Sequence, residues 1–327
     1  MRRREFITSL SVAAALAFAA RAQEPAMPVV ALVNAGSAET SERNAAAFDD
    51  GLRKLGYIEG KNVTIERHWL AGHYDQVDGL MTDLVRRHVA LIATPGSAVA
   101  TLAAKKATSA IPIVFGMAQD PVQLGVVASL ARPNGNATGV SSLLGEIAAK
   151  RLQLLHDLVP AANRIVVLVN PSNSTAAEST IRDVREAAPG MGLQIQILNA
   201  TNIAEIDAAF ASFARDRPDA LFVAPDGFFR SRRGQFSTLA ARDKLPAAYA
   251  GRDYVVAGGL MSYGTDVAET YHQAGLYAGK ILNGEKPANM PVLQSTKFEF
   301  VINLQTARAL GIEVSPDVLS IADEVIE

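Results

Sequence analysis

The sequence contains no cysteine, which excludes disulfides, thiolate catalysis, thiolate metal sites and a lipid anchor on cysteine. Charge of one sign is also lacking. Lysine and arginine number 31 against 33 aspartates and glutamates, a net −2, so there is no electrostatic reason to expect nucleic acid as a partner. Enzyme motifs are missing as well. No GxSxG elbow occurs, and Gly275 to Lys280 has one residue too few between its glycines, with Ile281 where a phosphate-binding loop needs Ser or Thr. Glu66, His68 and His73 fall on a strand edge and its following loop without a metal-type repeat, and His88, His156 and His272 are isolated. No cofactor is implied. The longest uncharged apolar stretch, Ile7 to Ala20, is too short for an ordinary membrane-spanning helix.

That stretch instead reads as part of an export signal over residues 1–22. Arg2, Arg3 and Arg4 supply a positive start, and Ala20-Arg21-Ala22 closes the apolar core with small residues at cleavage-type spacing. Arg3-Arg4-Glu5-Phe6-Ile7 resembles the twin-arginine motif, with the general secretory route as the alternative. The expectation is a protein of the periplasm, cleaved near Ala22 and starting near Gln23.

At 327 residues and 49% hydrophobic content, the chain suits about two domains of roughly 150 residues each. The pattern alternates strand and helix, and it does so twice. VVALVN (29–34) and IVVLVN (165–170) each run into a small polar loop. LIATPG (91–96) and LFVAPDG (221–227) each lead through a helical segment to Ile111-Pro112 or Leu245-Pro246. Runs that are apolar on both sides and separated by helices predict parallel sheets covered on both faces. Between the two units lies Ile111–Ser142, read as a strand, a helix start at Asp120-Pro121 and a Pro-Asn-Gly-Asn turn.

In open parallel sheets a ligand binds beyond the carboxyl ends of the strands. The loops that fall there carry Asn34, Ser37, Thr94, Ser97, Met117, Asp120, Asn170, Ser172, Asn173, Asp226 and Tyr263. Several sit at helix starts, whose free amides favour a carboxylate, although Ser37, Ser97 and Ser172 are also ordinary capping residues. Ser37, Thr94, Ser97, Ser172 and Asn173 would hold a carboxylate, since no Lys or Arg is evident among these loops to neutralise a strong anion. Asp120 or Asp226 would face an amine. Phe115, Met117, Tyr249 and Tyr263 would take an apolar part, an aromatic side chain among the candidates. Arg230, Arg232, Arg233 and Arg242 read as a solvated basic face.

GLRKLGYIEGKNVTIERHW, IPIVFGMAQDPVQLGVVASLARPNGNATGVS, LVNPSN, GGLMSYG and TKFEFVINLQTARALGI, ending in ADEVIE, together resemble the ABC transporter substrate-binding family that includes tryptophan-binding proteins. The resemblance covers essentially the whole mature chain. It implies a type I periplasmic binding fold: two similar doubly wound α/β lobes with parallel sheets, joined by a hinge. Such a protein is not an enzyme; it closes on a small molecule and docks the permease subunits of a transporter. It would be monomeric and free in the periplasm. The lobes are expected over 28–141 with 264–293 and over 142–263 with 294–327, with crossings near Gly139–Ser142, Gly259–Gly264 and Leu293–Lys297. A regulator of this fold would carry a DNA-binding helix pair where the export signal stands. A secreted enzyme or ligand-sensing domain of the same fold remains the alternative, but the loops offer only Asp120 and Asp226 as acids.

Overall fold

A computed structural model describes residues 27–141, 145–294 and 298–327. The export segment at 1–22, with Ser142 and Lys297 of the expected crossings, lies outside the described residues.

The first lobe is built from β1 (Val29–Asn34), α1 (Ala38–Lys54), β2 (Thr64–Trp69), α2 (Val77–Arg86), β3 (Leu91–Pro95), α3 (Ala98–Ala107), β4 (Ile113–Met117) and β5 (Ala137–Ser141). The second repeats the rhythm. After α4 (Gly145–Leu158) come β6 (Arg164–Val169), α5 (Ser174–Ala187), β7 (Gln194–Asn199), α6 (Ile203–Ser212), β8 (Ala220–Val223), α7 (Gly227–Ser231), α8 (Arg233–Arg242), β9 (Ala247–Tyr249), α9 (Arg252–Val256) and β10 (Met261–Thr265). The chain then returns through α10 (Val267–Leu282) and β11 (Leu293–Gln294), and finishes with β12 (Phe298–Asn303), α11 (Leu304–Leu310), α12 (Pro316–Ser320) and β13 (Glu324–Ile326).

Among the described residues the sheets run β11-β5-β4-β3-β1-β2 and β13-β12-β10-β9-β8-β6-β7. Within each unit's five strands the order is therefore second, first, third, fourth, fifth. The reversal falls between β1 and β3 (Val30 opposite Leu91) and between β6 and β8 (Ile165 opposite Ala220), the position where doubly wound sheets open a crevice. All pairings are parallel except β10 with β12. The inner strands β3, β4 and β8 are buried throughout, whereas the edge strand β7, QIQILN, alternates and stays half open. Each sheet carries one apolar cluster on either face, such as Met81, Leu84 and Phe115 opposite Phe48, Leu52 and Tyr277 in the first lobe.

After its fifth strand each lobe sends its next helix to the other. α4 packs Leu152, Leu155 and Leu158 into the second lobe's core, and α10 packs Tyr271, Ala274 and Ala278 into the first. The glycines of GLYAGK serve this packing. A Cβ on Gly275 would strike the Phe48 carbonyl, and one on Gly51 the His272 carbonyl, so α10 and α1 touch at backbone distance. Because β10 pairs with β9 at Met261 and Ser262 and with β12 through Met261–Thr265, the chain leaves the second lobe after Thr265, later than the Gly259–Gly264 crossing read from sequence. The helix expected at Asp120-Pro121 is a turn. Asp120 Oδ1 accepts from the Val122 and Gln123 amides at 2.8 and 3.3 Å, and Gly125 at φ +68° ends the coil before it can propagate.

Candidate functional site in the cleft between the lobes

The carboxyl ends of both sheets face one another across a cavity of about 180 Å³, lined from the first lobe by Asn34, Gly36, Ser97, Met117 and Tyr271 and from the second by Arg151, Asn173, Asp226, Arg230, Asp253 and Tyr254, among others. The loops after β1, β3, β4, β6, β8 and β9, with the end of β10, all reach it.

Of the residues singled out in the sequence, Asn34, Ser97, Met117, Asn173 and Asp226 line the cavity. Asn34 Oδ1 accepts from the Gly36 amide at 2.7 Å and Ser41 Oγ at 3.3 Å, while its buried Nδ2 has no partner among the described residues. Ser97 caps α3 by accepting from the Ala100 amide.

The others lie elsewhere. Thr94 is fully buried against Thr101 Oγ1 at 2.8 Å. Phe115 lies in the first lobe's core, because it falls within β4 rather than past its end. Ser37 bonds Thr40 Oγ1 beside the helix start. Asp120 is spent on its turn. Asn170 and Ser172 sit behind the cavity, Asn170 donating Nδ2 to Asp226 Oδ1 at 3.2 Å and accepting the Ser172 amide. Tyr249 is wholly buried and stacks on Tyr254 at 4.7 Å between centroids, so Tyr254 presents the ring at the cavity. Tyr263 stacks on Phe298 and contributes its carbonyl.

Asp226 is the junction of the lobes. Its Oδ1 accepts from Asn170 Nδ2 and the Phe229 amide at 3.0 Å; its Oδ2 accepts from Asn173 Nδ2 at 3.0 Å and from the hydroxyl of Tyr74, in the first lobe, at 2.8 Å. Burial, with Asp226 adding to it, pushes the Tyr74 phenol well above its ordinary value. Contact here is close enough that a Cβ on Gly227 would stand 2.7–2.9 Å from Cβ, C and O of Ala35 in the opposite lobe.

Two arginines were not expected here. Arg151 on α4 is only 3% exposed; its Nε donates to the Tyr263 carbonyl at 2.7 Å, its guanidinium lies 5.2 Å over the Phe222 ring, and Nη1 has no partner among the described residues. Burial lowers its pKa to about 10, leaving it charged at neutral pH with no described carboxylate beside it. The sequence held a signal: Ile147, Arg151, Leu154, Leu155 and Leu158 share one helical stripe, so an arginine occupies the apolar face. Arg230, read as part of a solvated basic face, instead donates Nε to Asp253 Oδ2 at 2.7 Å. Burial disfavours its charge, but Asp253 more than offsets this and holds the pKa above its usual range. Asp253 Oδ1 is buried without a partner among the described residues. Burial, then Asp253 and Asp226, hold the Tyr254 phenol well above its ordinary value, so both carboxylates bear on one spot.

With unpartnered donors on Asn34 and Arg151 and an unpartnered acceptor on Asp253, the cavity can bind a small polar molecule. No cavity hydroxyl is hydrogen-bonded to a histidine among the described residues, so a nucleophile–base pair is not assembled there.

The profile of the family described as "ABC transporter substrate binding protein" matches residues 29–326. A tyrosine-binding protein of Clostridioides difficile (strain R20291) is 27% identical over 269 residues, covering 81% of this chain and 76% of that protein. An ABC domain from Streptococcus pneumoniae solved in complex with L-Trp superposes with a TM-score of 0.81 at 24% identity, covering 91% of this chain and 99% of that one. A ligand-free, open substrate binding protein from Clostridium difficile has the same identity and coverage but a TM-score of 0.62.

Proposed function

The chain belongs to the ABC transporter substrate-binding protein family, and from that premise we propose that it captures a small carboxylate-bearing solute, an amino acid with an aromatic side chain, and delivers it to the permease of an uptake transporter. It acts as an exported, monomeric periplasmic binder, its signal removed near Ala22. It binds without turning its ligand over.

The observation that carries the carboxylate is Arg151. A guanidinium buried without an anionic partner is unfavourable in itself, and the cost is offset when a ligand carboxylate arrives in the same enclosed space. Asn34 Nδ2 supplies a second donor. Tyr254, Tyr271 and Met117 offer rings and a thioether to an aromatic side chain. A relative named as a tyrosine-binding protein and a similar structure holding L-Trp support an aromatic amino acid, and a cavity of about 180 Å³ suits one residue better than a peptide or oligosaccharide.

Calorimetric titration with the amino acids, aromatic acids and neutral sugars tests the reading, alongside mass spectrometry of whatever co-purifies from native periplasm. Tight binding of an aromatic amino acid is expected. A tight neutral sugar with no carboxylate hit overturns it.

A further inference from the structure

We propose that Asp253, anchored by Arg230, receives the ammonium group of the ligand and so makes the cavity select α-amino acids over carboxylic acids that lack an amine. This rests on the carboxylate reading above and adds the opposite pole of the ligand.

Two carboxylates line the cavity among the described residues, Asp226 and Asp253. Asp226, the sequence's candidate for an amine, already accepts four hydrogen bonds, two on each oxygen. That fills the roughly four lone-pair positions of a carboxylate. Asp253 is differently placed. Only Oδ2 is used, by Arg230 Nε, and Oδ1 has no donor, a costly state for a buried carboxylate oxygen. A quarter of the side chain's surface stays open, Oδ1 itself being covered, and the residue lines the cavity.

Three buried polar atoms on cavity residues lack a partner among the described residues, and their kinds match such a ligand. Two donors, Asn34 Nδ2 and Arg151 Nη1, suit the two oxygens of a carboxylate, and one acceptor, Asp253 Oδ1, suits an ammonium. Charge makes the same demand. Arg151 and Arg230 balance Asp226 and Asp253 among the described lining residues. A simple carboxylate would leave one uncompensated negative charge in a partly enclosed site, whereas a zwitterion leaves none. Arg230 is then a positioning residue: its ion pair fixes Asp253 with Oδ1 left for the ligand.

The test uses matched pairs differing only in the amine: L-tryptophan with indole-3-propionate, L-tyrosine with 3-(4-hydroxyphenyl)propionate, and L-leucine with 4-methylpentanoate. Calorimetry on the full mature chain should show the wild type binding the amino member of at least one pair 100-fold or more tightly. Asp253→Asn should lose 30-fold or more toward that amino acid and under threefold toward its partner, and Asp253→Glu should recover part of the preference. Arg230→Lys, should Asp253→Asn fold poorly, should narrow the preference about tenfold with the deamino acid unchanged. Equal losses on both members would reduce Asp253 to a structural role and overturn the proposal. A wild type that binds the deamino acid as well as the amino acid overturns it while the carboxylate reading stands. A wild type that binds no member of any pair overturns both.

Discussion

The two walls of the cavity differ in kind. The first lobe presents glycines, Ser97, Met117, two asparagines and the ring of Tyr271, with no charge among the described lining residues; the second presents Arg151, Asp226, Arg230 and Asp253. The same doubly wound unit has thus been equipped twice, once as a neutral cover and once as a charged seat. On the proposed function, the charged seat would hold and orient a polar solute while the lobes are apart, and the neutral cover would then exclude water, which strengthens each pairing beneath it. Among the described residues the cover has one polar attachment to the seat's carboxylates, Tyr74 on Asp226.

The largest effect should come from neutralising the seat. Arg151→Met is expected to cost about 2–4 kcal/mol of affinity for a carboxylate ligand. It should also raise the melting temperature of the ligand-free protein, since the buried cation costs about 3 kcal/mol by its lowered pKa, offset in part by the lost bond to Tyr263. Titration calorimetry and thermal unfolding together check the pair of effects; weaker binding with a lower melting temperature would make Arg151 merely structural.

The same residue gives a pH signature. An anion needs Arg151 protonated, so affinity for a deamino acid such as 3-phenylpropionate should hold steady from pH 7 to 9. As pH rises through about 10, where the free protein's Arg151 loses its proton, affinity should fall about tenfold per unit. A flat profile to pH 11 would place the titration of Arg151 above that range, the guanidinium staying charged throughout.

Changes at the cover should be smaller. Gly227→Ala places a methyl against Ala35 of the opposite lobe, and about a tenfold loss of affinity is expected from incomplete closure. Small-angle scattering with saturating ligand should find it more open than the wild type. Tyr74→Phe removes one hydrogen bond across the lobes, worth about 1 kcal/mol, or roughly fivefold in affinity. An equal loss in the stability of the ligand-free protein would show that the bond is made whether or not ligand is bound.

What the sequence carried well was local and periodic. The buried runs of β1 and β6, the helical stripes and the strand-end loops were legible because periodicity and turn chemistry act over a few residues. Asn34, Ser97, Met117, Asn173 and Asp226 were legible for that reason, each lying at or just past a strand end. Thr94, Phe115 and Tyr249 have the same loop proximity, yet their side chains point into the lobes. One residue along a strand reverses the face, and sequence position alone does not resolve that.

The sequence by itself determined two similar doubly wound lobes and their strand-end loops, because covalent order and side-chain period dictate which segments become strands and where each must end. Only the tertiary structure decided the charges. Arg151 reaches the cavity because α4 crosses to the second lobe and lays its apolar stripe, arginine included, along that core; Arg230 meets Asp253 across 23 residues of chain; and Asp226 has an oxygen taken by Tyr74, 152 residues away. Such pairings depend on distances fixed by packing, which no local pattern encodes.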